Sequence, residues 1–369
     1  MKKQLITKPA LFAVAALTVF SCKKNAATAP LPTTQYNVTQ TNLVADVDGY
    51  NATKIDPDLV NAWGLAANEI GIVWVSSNHK ALSTIYDTTG RTLRVPVRIP
   101  TVNGNQPGKP TGMVFNNTAD FGNNKFIFAD ENGAISAWIM NDDAAIVASG
   151  GQGAVYKGLA LAANAGANFL YAANFKAGKI DVFDREFKHV ITNGFTDSTI
   201  PAGFGPFNIQ NIGGMLYVTY AKLAGPDNIN DSPAAGNGYV DIFKPDGTLV
   251  KRFASQGSLN SPWGIADAPA GFAAETETIL VGNFGDGRIN VFDTNGNYKG
   301  QLQANGKPLT IDGLWALDFV KPNPAAGSSL YFTAGPAGET HGLFGFLKTS
   351  MIANSPNNGN NTNGGLSGY

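Results

Sequence analysis

One cysteine and three histidines occur in the 369-residue chain, and only 14% of its residues are charged. A single thiol excludes an intramolecular disulfide, so stability must come from packing alone. No HExxH, CxxC, G-x-S-x-G or phosphate-binding glycine loop is present, so no familiar hydrolase or nucleotide motif announces itself. Basic residues (26) do not exceed acidic ones (27), and three of the lysines lie in the first eight residues. That balance argues against nucleic acid as a partner. The longest apolar run at the front, residues 10–20, is too short to span a bilayer.

The front end reads as a targeting segment. Lys2, Lys3 and Lys8 precede the apolar run, which ends in Val19-Phe20-Ser21-Cys22. A small residue before the only cysteine resembles a bacterial lipobox. The resemblance implies a signal peptide over 1–21 and acylation of Cys22. It also implies an exported lipoprotein held in the cell envelope, at the outer membrane, by its lipid. Lys23-Lys24 favours a periplasm-facing orientation. The alternative is an ordinary secretory leader with an incidental cysteine. Residues 22–35, rich in Pro, Thr and Ala, read as a flexible tether, and 349–369 as a low-complexity disordered tail.

What the chain has is glycine, 43 residues spread throughout, and a 43% hydrophobic content arranged in short alternating runs. Residues 259–303 read as four strands joined by Gly/Asn turns. Similar units open at Trp63, Thr111, Gly158, Pro206, Trp263 and Trp315, in steps of 48, 47, 48, 57 and 52 residues. One such sheet cannot bury both faces, but a ring of them can. The expected fold is therefore an all-β, six-bladed β-propeller of four-stranded antiparallel blades over 36–348. The sixth unit lacks its fourth strand, and the spare strand at 36–46 is expected to supply it and close the ring. Deleting 36–50 should then cost more stability than deleting 354–369.

Two resemblances rest on these residues. Pro262-Trp263-Gly264-Ile265-Ala266, Ile289-Asn290-Val291-Phe292-Asp293 and Ile180-Asp181-Val182-Phe183-Asp184 resemble NHL-type repeats. The opening Asp56-Pro57-Asp58-Leu59-Val60-Asn61-Ala62-Trp63-Gly64 is similar to that of a family of uncharacterised exported bacterial propellers, which implies a six-bladed fold, export and no established activity.

In a propeller, loops between blades and between second and third strands gather on one axial face, where ligands dock. That face collects Asn78, Asp130, Glu131, Asn174 and Asn283 at the ends of second strands. Oxygen donors from several blades could hold a hard cation such as Ca²⁺. Asp130, Glu131, Asn174 and Asn283 resemble the metal set of lactonase-type propellers, which implies a Ca²⁺-dependent lactonase or esterase-like hydrolase. The competing reading makes them hairpin caps. His79, His341 and Glu339 are expected near one another across the ring closure, as an acid/base or metal edge, or as solvated turn residues. His189 should face the other way. The insertion 221–238, with Asp227, Asn228, Asn230 and Asp231, is a candidate lid or a tolerated surface insertion. Trp63, Trp263 and Trp315 read as packing residues between blades, or as a sugar platform. The residues thus point to a binding or scaffold module for a small molecule, glycan or protein, with the Ca²⁺ hydrolase as alternative.

Overall fold

The computed structural model describes Met1 and residues 37–102, 107–320 and 328–350. The chain divides into units Met1–Thr33 and Thr34–Tyr369. The leader, Cys22, the tether and residues 351–369 lie outside the described residues.

Alternating sequences become sheets whose faces pack on neighbouring sheets. Five are four-stranded antiparallel blades in simple meander order, with inner strands Ala62–Ala67, Pro110–Phe115, Tyr156–Asn164, Phe204–Ile212 and Pro262–Ala268. The protein is an all-β propeller with four-stranded blades. Among the described residues its helical content is two short 3₁₀ turns.

The expectation of six like blades is corrected. The remaining sheet has seven strands and is built from both ends of the chain. Leu314–Phe319, Leu330–Ala334 and Leu343–Ser350 pair in sequence, and Asn37–Ala45 then lies antiparallel to Leu343–Ser350. Short strands after the fifth blade and Lys54–Ile55 attach to Asn37–Ala45. The sheet grows beyond four strands because the chain continues past the fifth blade along the outer edge that Asn37–Ala45 presents.

Hairpin chemistry follows the turn residues. Asp293 Oδ1 accepts from Asn295 N at 3.0 Å and Asn297 N at 2.9 Å, and Asp184 does the same for Glu186 and Lys188. The Asp293 segment is thus a hairpin turn, with Gly296 at φ 92°.

The axis is shaped by a bulge repeated in all six innermost strands. Pairing register breaks between Ala62 and Leu65, Pro110 and Met113, Tyr156 and Gly158, Pro206 and Asn208, Pro262 and Ile265, and Leu314 and Leu317. A bulge re-aims the extra residue. Here those residues are Trp63, Thr111, Lys157, Phe207, Trp263 and Trp315, each no more than 4% exposed. Trp63 stacks on Trp315 with centroids 3.7 Å apart, and Trp263 meets Trp315 edge-on at 5.9 Å. The tryptophans are therefore packing residues, joining the first blade, the fifth blade and the seven-stranded sheet at the hub. Such pairs contribute about 0.5–1.5 kcal/mol each beyond area burial.

Where the residue after the bulged one is glycine, the next sheet's backbone is close. A Cβ on Gly64 would lie 2.2 Å from Thr111 O, and one on Gly264 2.4 Å from Trp315 O.

Candidate functional site: a buried polar cluster on the axial face

Three of the four expected metal ligands are turned to their own loops. Asp130 accepts the backbone N–H groups of Lys109 and Asn132. Asn174 Nδ2 donates to Asp181 Oδ2 at 2.8 Å, while its Oδ1 accepts from Val155 N and Ala177 N, both at 3.3 Å. Asn283 donates to Ser258 O at 2.8 Å and Asp286 Oδ1 at 3.0 Å, and accepts from Asn260 N at 3.1 Å. These are the capping hydrogen bonds of the competing reading. Among the described residues no group of three or more His, Cys, Asp or Glu side chains is placed to hold a metal ion. Of Asp130, Glu131, Asn174 and Asn283, only Glu131 turns to the hub.

Glu131 does so because a lysine stands at the hub position of the third blade. Lys157 Nζ pairs with Glu131 Oε1 at 2.5 Å and lies 4.9 Å from the centroid of the Trp63 ring. The Lys157 side chain is 3% exposed and that of Glu131 14%. Burial works against the Glu131 charge, but Lys157, with Lys109 and Asn78, outweighs it and holds the carboxyl below its usual range. Asn78 bridges the first and second blades, with Nδ2 donating to Pro110 O at 3.1 Å and to Glu131 Oε2 at 3.4 Å.

Asn61 extends the cluster across the junction of the first blade and the seven-stranded sheet. Its Nδ2 donates to Glu339 Oε2 at 2.7 Å and lies 3.5 Å from His79 Nε2, while its Oδ1 accepts from Trp315 Nε1 at 3.0 Å. Burial pushes the Glu339 carboxyl above its ordinary value, with Asn61 opposing. The expected proximity of His79 and Glu339 is therefore present, relayed by Asn61. The His341 side chain is not part of it: Nδ1 pairs with Asp46 Oδ2 at 2.9 Å. His189 sits on an outer strand against Asp181 at 3.3 Å.

The insertion of the fourth blade folds back as a small hairpin. Leu223 and Asp231 form a bridge, and Ser232 N donates to Lys222 O at 2.8 Å. Leu223 packs against the hub aromatics, so the insertion reaches toward the axis. Asp227 stays exposed at the tip. Asp231 is drawn in: burial raises its carboxyl, and Ser261 beside it and Lys157 favour its charge. Neither Asp231 Oδ2 nor Ser261 Oγ completes a hydrogen bond, and the indole N–H groups of Trp63 and Trp263 are also buried without acceptors.

Sequence reasoning missed Lys157 and Asn61. The signal was present in the openings. Shifted by one residue at Gly158 and Pro206, as the bulges require, they place Trp, Thr, Lys, Phe, Trp and Trp at one position, and a lysine there is out of keeping with an apolar hub.

The fold and this hub define the chain as a β-propeller with a polar, partly covered axial face. The chain is 36% identical over 325 residues to the uncharacterized protein L690 of Acanthamoeba polyphaga mimivirus, covering 82% of this chain and 83% of that one. It is 35% identical over 327 residues to the uncharacterized protein R648 of the same virus, covering 82% and 78%. The chain belongs to the family of these mimivirus proteins. The resemblance to an exported bacterial family is thereby corrected. Its Trp-Gly opening answers to the hub bulge and the close approach of the next sheet, so it reports geometry rather than lineage. No protein-family model matches the chain. Among solved structures, a streptogramin B lyase superposes with TM-score 0.52 at 12% identity, covering 86% of this chain and 99% of that one. A virginiamycin B lyase from Staphylococcus aureus gives 0.50 at 13% identity, covering 86% and 100%. At such identity the likeness shows the fold alone.

Proposed function

We propose that the protein is a binding module whose axial face takes a small ligand rich in hydrogen-bond donors, a sugar or an amine. The observation that carries this reading is the charge balance of the buried cluster. Lys157 pairs with Glu131, which Lys109 also favours, and the same Lys157 ammonium lies within electrostatic reach of Glu339 and Asp231. Both of the latter carboxyls are pushed up by burial, and Asp231 Oδ2 completes no hydrogen bond although the Ser261 hydroxyl stands beside it. A bound amine or polyol would supply what they lack. The insertion carrying Asp231 is suited to cover such a ligand. On this reading the seven-stranded sheet takes the sixth place in the ring, with Asn37–Ala45 as its closing strand.

The test is calorimetry and thermal shift with a panel of monosaccharides, amino sugars and diamines. The parent should be stabilised saturably by a member of the panel, and an Asp231→Asn/Glu339→Gln variant should lose that response. A parent indifferent to the whole panel, or a variant that responds equally, overturns the reading.

Attachment through an acylated Cys22, an envelope location, and a protein or glycan partner on the same face remain part of the proposal. Cys22→Ser should move the protein from the membrane fraction to the soluble fraction of the cells that make it. A parent chain already found in the soluble fraction refutes the anchor.

A further inference from the structure

The seam between the first and second blades is left open where three other seams are filled. At those three a loop phenylalanine enters the space between neighbouring sheets. Phe121, fully buried, sits 5.3 Å from Phe187 at the second and third blades. Phe195 lies between Tyr171 and Phe243, at 5.6 and 5.4 Å, at the third and fourth. Phe272, also fully buried, meets Phe319 edge-on at 4.9 Å between the fifth blade and the seven-stranded sheet. Phe121 and Phe195 accept a left-handed backbone (φ 56° and 61°) in doing so, an arrangement rare for aromatic residues.

The first blade has no such plug. The turn between its first two strands is short and closed on itself, with Asn68 Oδ1 accepting from Ile70 N at 3.2 Å and Ile72 N at 2.8 Å. Ile70, at its tip, is 76% exposed and does not turn in. What remains is a cleft of about 450 Å³, inside the usual range for small-molecule sites. Its floor is Trp74 stacked on Phe126 at 4.1 Å, and Trp138 forms a wall 4.6 Å from Trp74.

Ten residues line the cleft, of which two are cations, Arg94 and Lys125, and none is an acid. Arg94 lies 5.1 Å from the centroid of the Trp138 ring and touches Asp142, outside the lining, at 3.3 Å. Lys125 makes no ion pair among the described residues. We propose that this cleft is a second ligand site, separate from the axial cluster, for a small amphiphilic anion. Its flat apolar body lies against Trp74, Phe126 and Trp138, and its carboxylate or sulfonate faces Arg94 and Lys125. An aromatic wall and floor give the body its area, and the two cations set the sign of the head group.

The experiment uses 2-naphthoate as probe, followed by calorimetry and tryptophan quenching, with 2-naphthamide and 2-naphthylmethylamine as neutral and cationic congeners. The expected order is anion over neutral over cation. Trp138→Ala should weaken naphthoate binding by about tenfold or more, through loss of the aromatic wall. Lys125→Glu, a rim change that leaves the core intact, should weaken it by about fivefold. Glu339→Gln should leave it unchanged. No saturable binding to the folded parent overturns the proposal. So does equal affinity for parent and Lys125→Glu, or a preference for the cationic congener.

Discussion

Deleting residues 37–45 leaves a chain that no longer melts cooperatively at the parent's temperature, with a loss in Tm on the order of 10 °C or more. The strand pairs along its length with Leu343–Ser350 and buries Val38, Leu43 and Val44, at 2%, 5% and 0% exposure. Burying each side chain is worth about 1.5–3 kcal/mol, and the three together compare with the whole stability of an ordinary domain, about 5–15 kcal/mol. Deletion also strips the partner from Leu343–Ser350 and presents a free apolar edge, which invites aggregation. Val44→Asp is the milder form of the same experiment, because it places a charge in the hub core without shortening the chain. Calorimetric scans of both variants check the claim. Melting temperatures within a few degrees of the parent would mean that the seven-stranded sheet holds without its N-terminal member.

The second large effect concerns the buried ion pair. Glu131→Gln should destabilise the protein by about 3–5 kcal/mol, since it strands a buried ammonium. Lys157 keeps the face of Trp63 and the distant carboxylates of Glu339 and Asp231, which offset only part of that loss. Pairing the change with Lys157→Met should restore most of the stability, because a neutral pair of similar volume leaves no buried charge to desolvate. Urea denaturation of the parent, both single variants and the double variant gives the coupling energy. A Glu131→Gln protein within about 0.5 kcal/mol of the parent, the ordinary scatter of surface changes, would show that the pair is solvated in practice. If the axial face is a binding site, the double variant should also be stable yet altered in ligand response. Stability and binding would then separate at one pair of residues.

The blades themselves were legible because their signals are local. Alternation of apolar and polar residues, Gly/Asn turns and a period near fifty residues are readable wherever they occur, and five of the sheets follow them. The expectation for the last sheet fell short because its extent depends on strands from opposite ends of the chain and from the segment after the fifth blade meeting on one edge. Nothing local encodes that encounter. The surroundings of the expected metal set were hidden in a related way. Asp130, Asn174 and Asn283 were placed on the correct face, but a sequence does not display whether a side-chain oxygen is already taken by its own loop. Lys157 was overlooked because its opening was read as a member of the repeat rather than as the exception in it.

Composition and period, taken alone, determined an all-β propeller without disulfides, with small residues wherever sheets approach and with loops gathered at the axis. Those features depend on neighbours within a few residues, so the chain carries them openly. Only the tertiary structure decided that a bulge in each inner strand aims one residue at the hub, and that Glu131 rather than its neighbour turns inward to meet Lys157. It also decided that one seam lacks its plug. Each of these is a relation between atoms far apart in sequence, and it exists only once the sheets have been brought together.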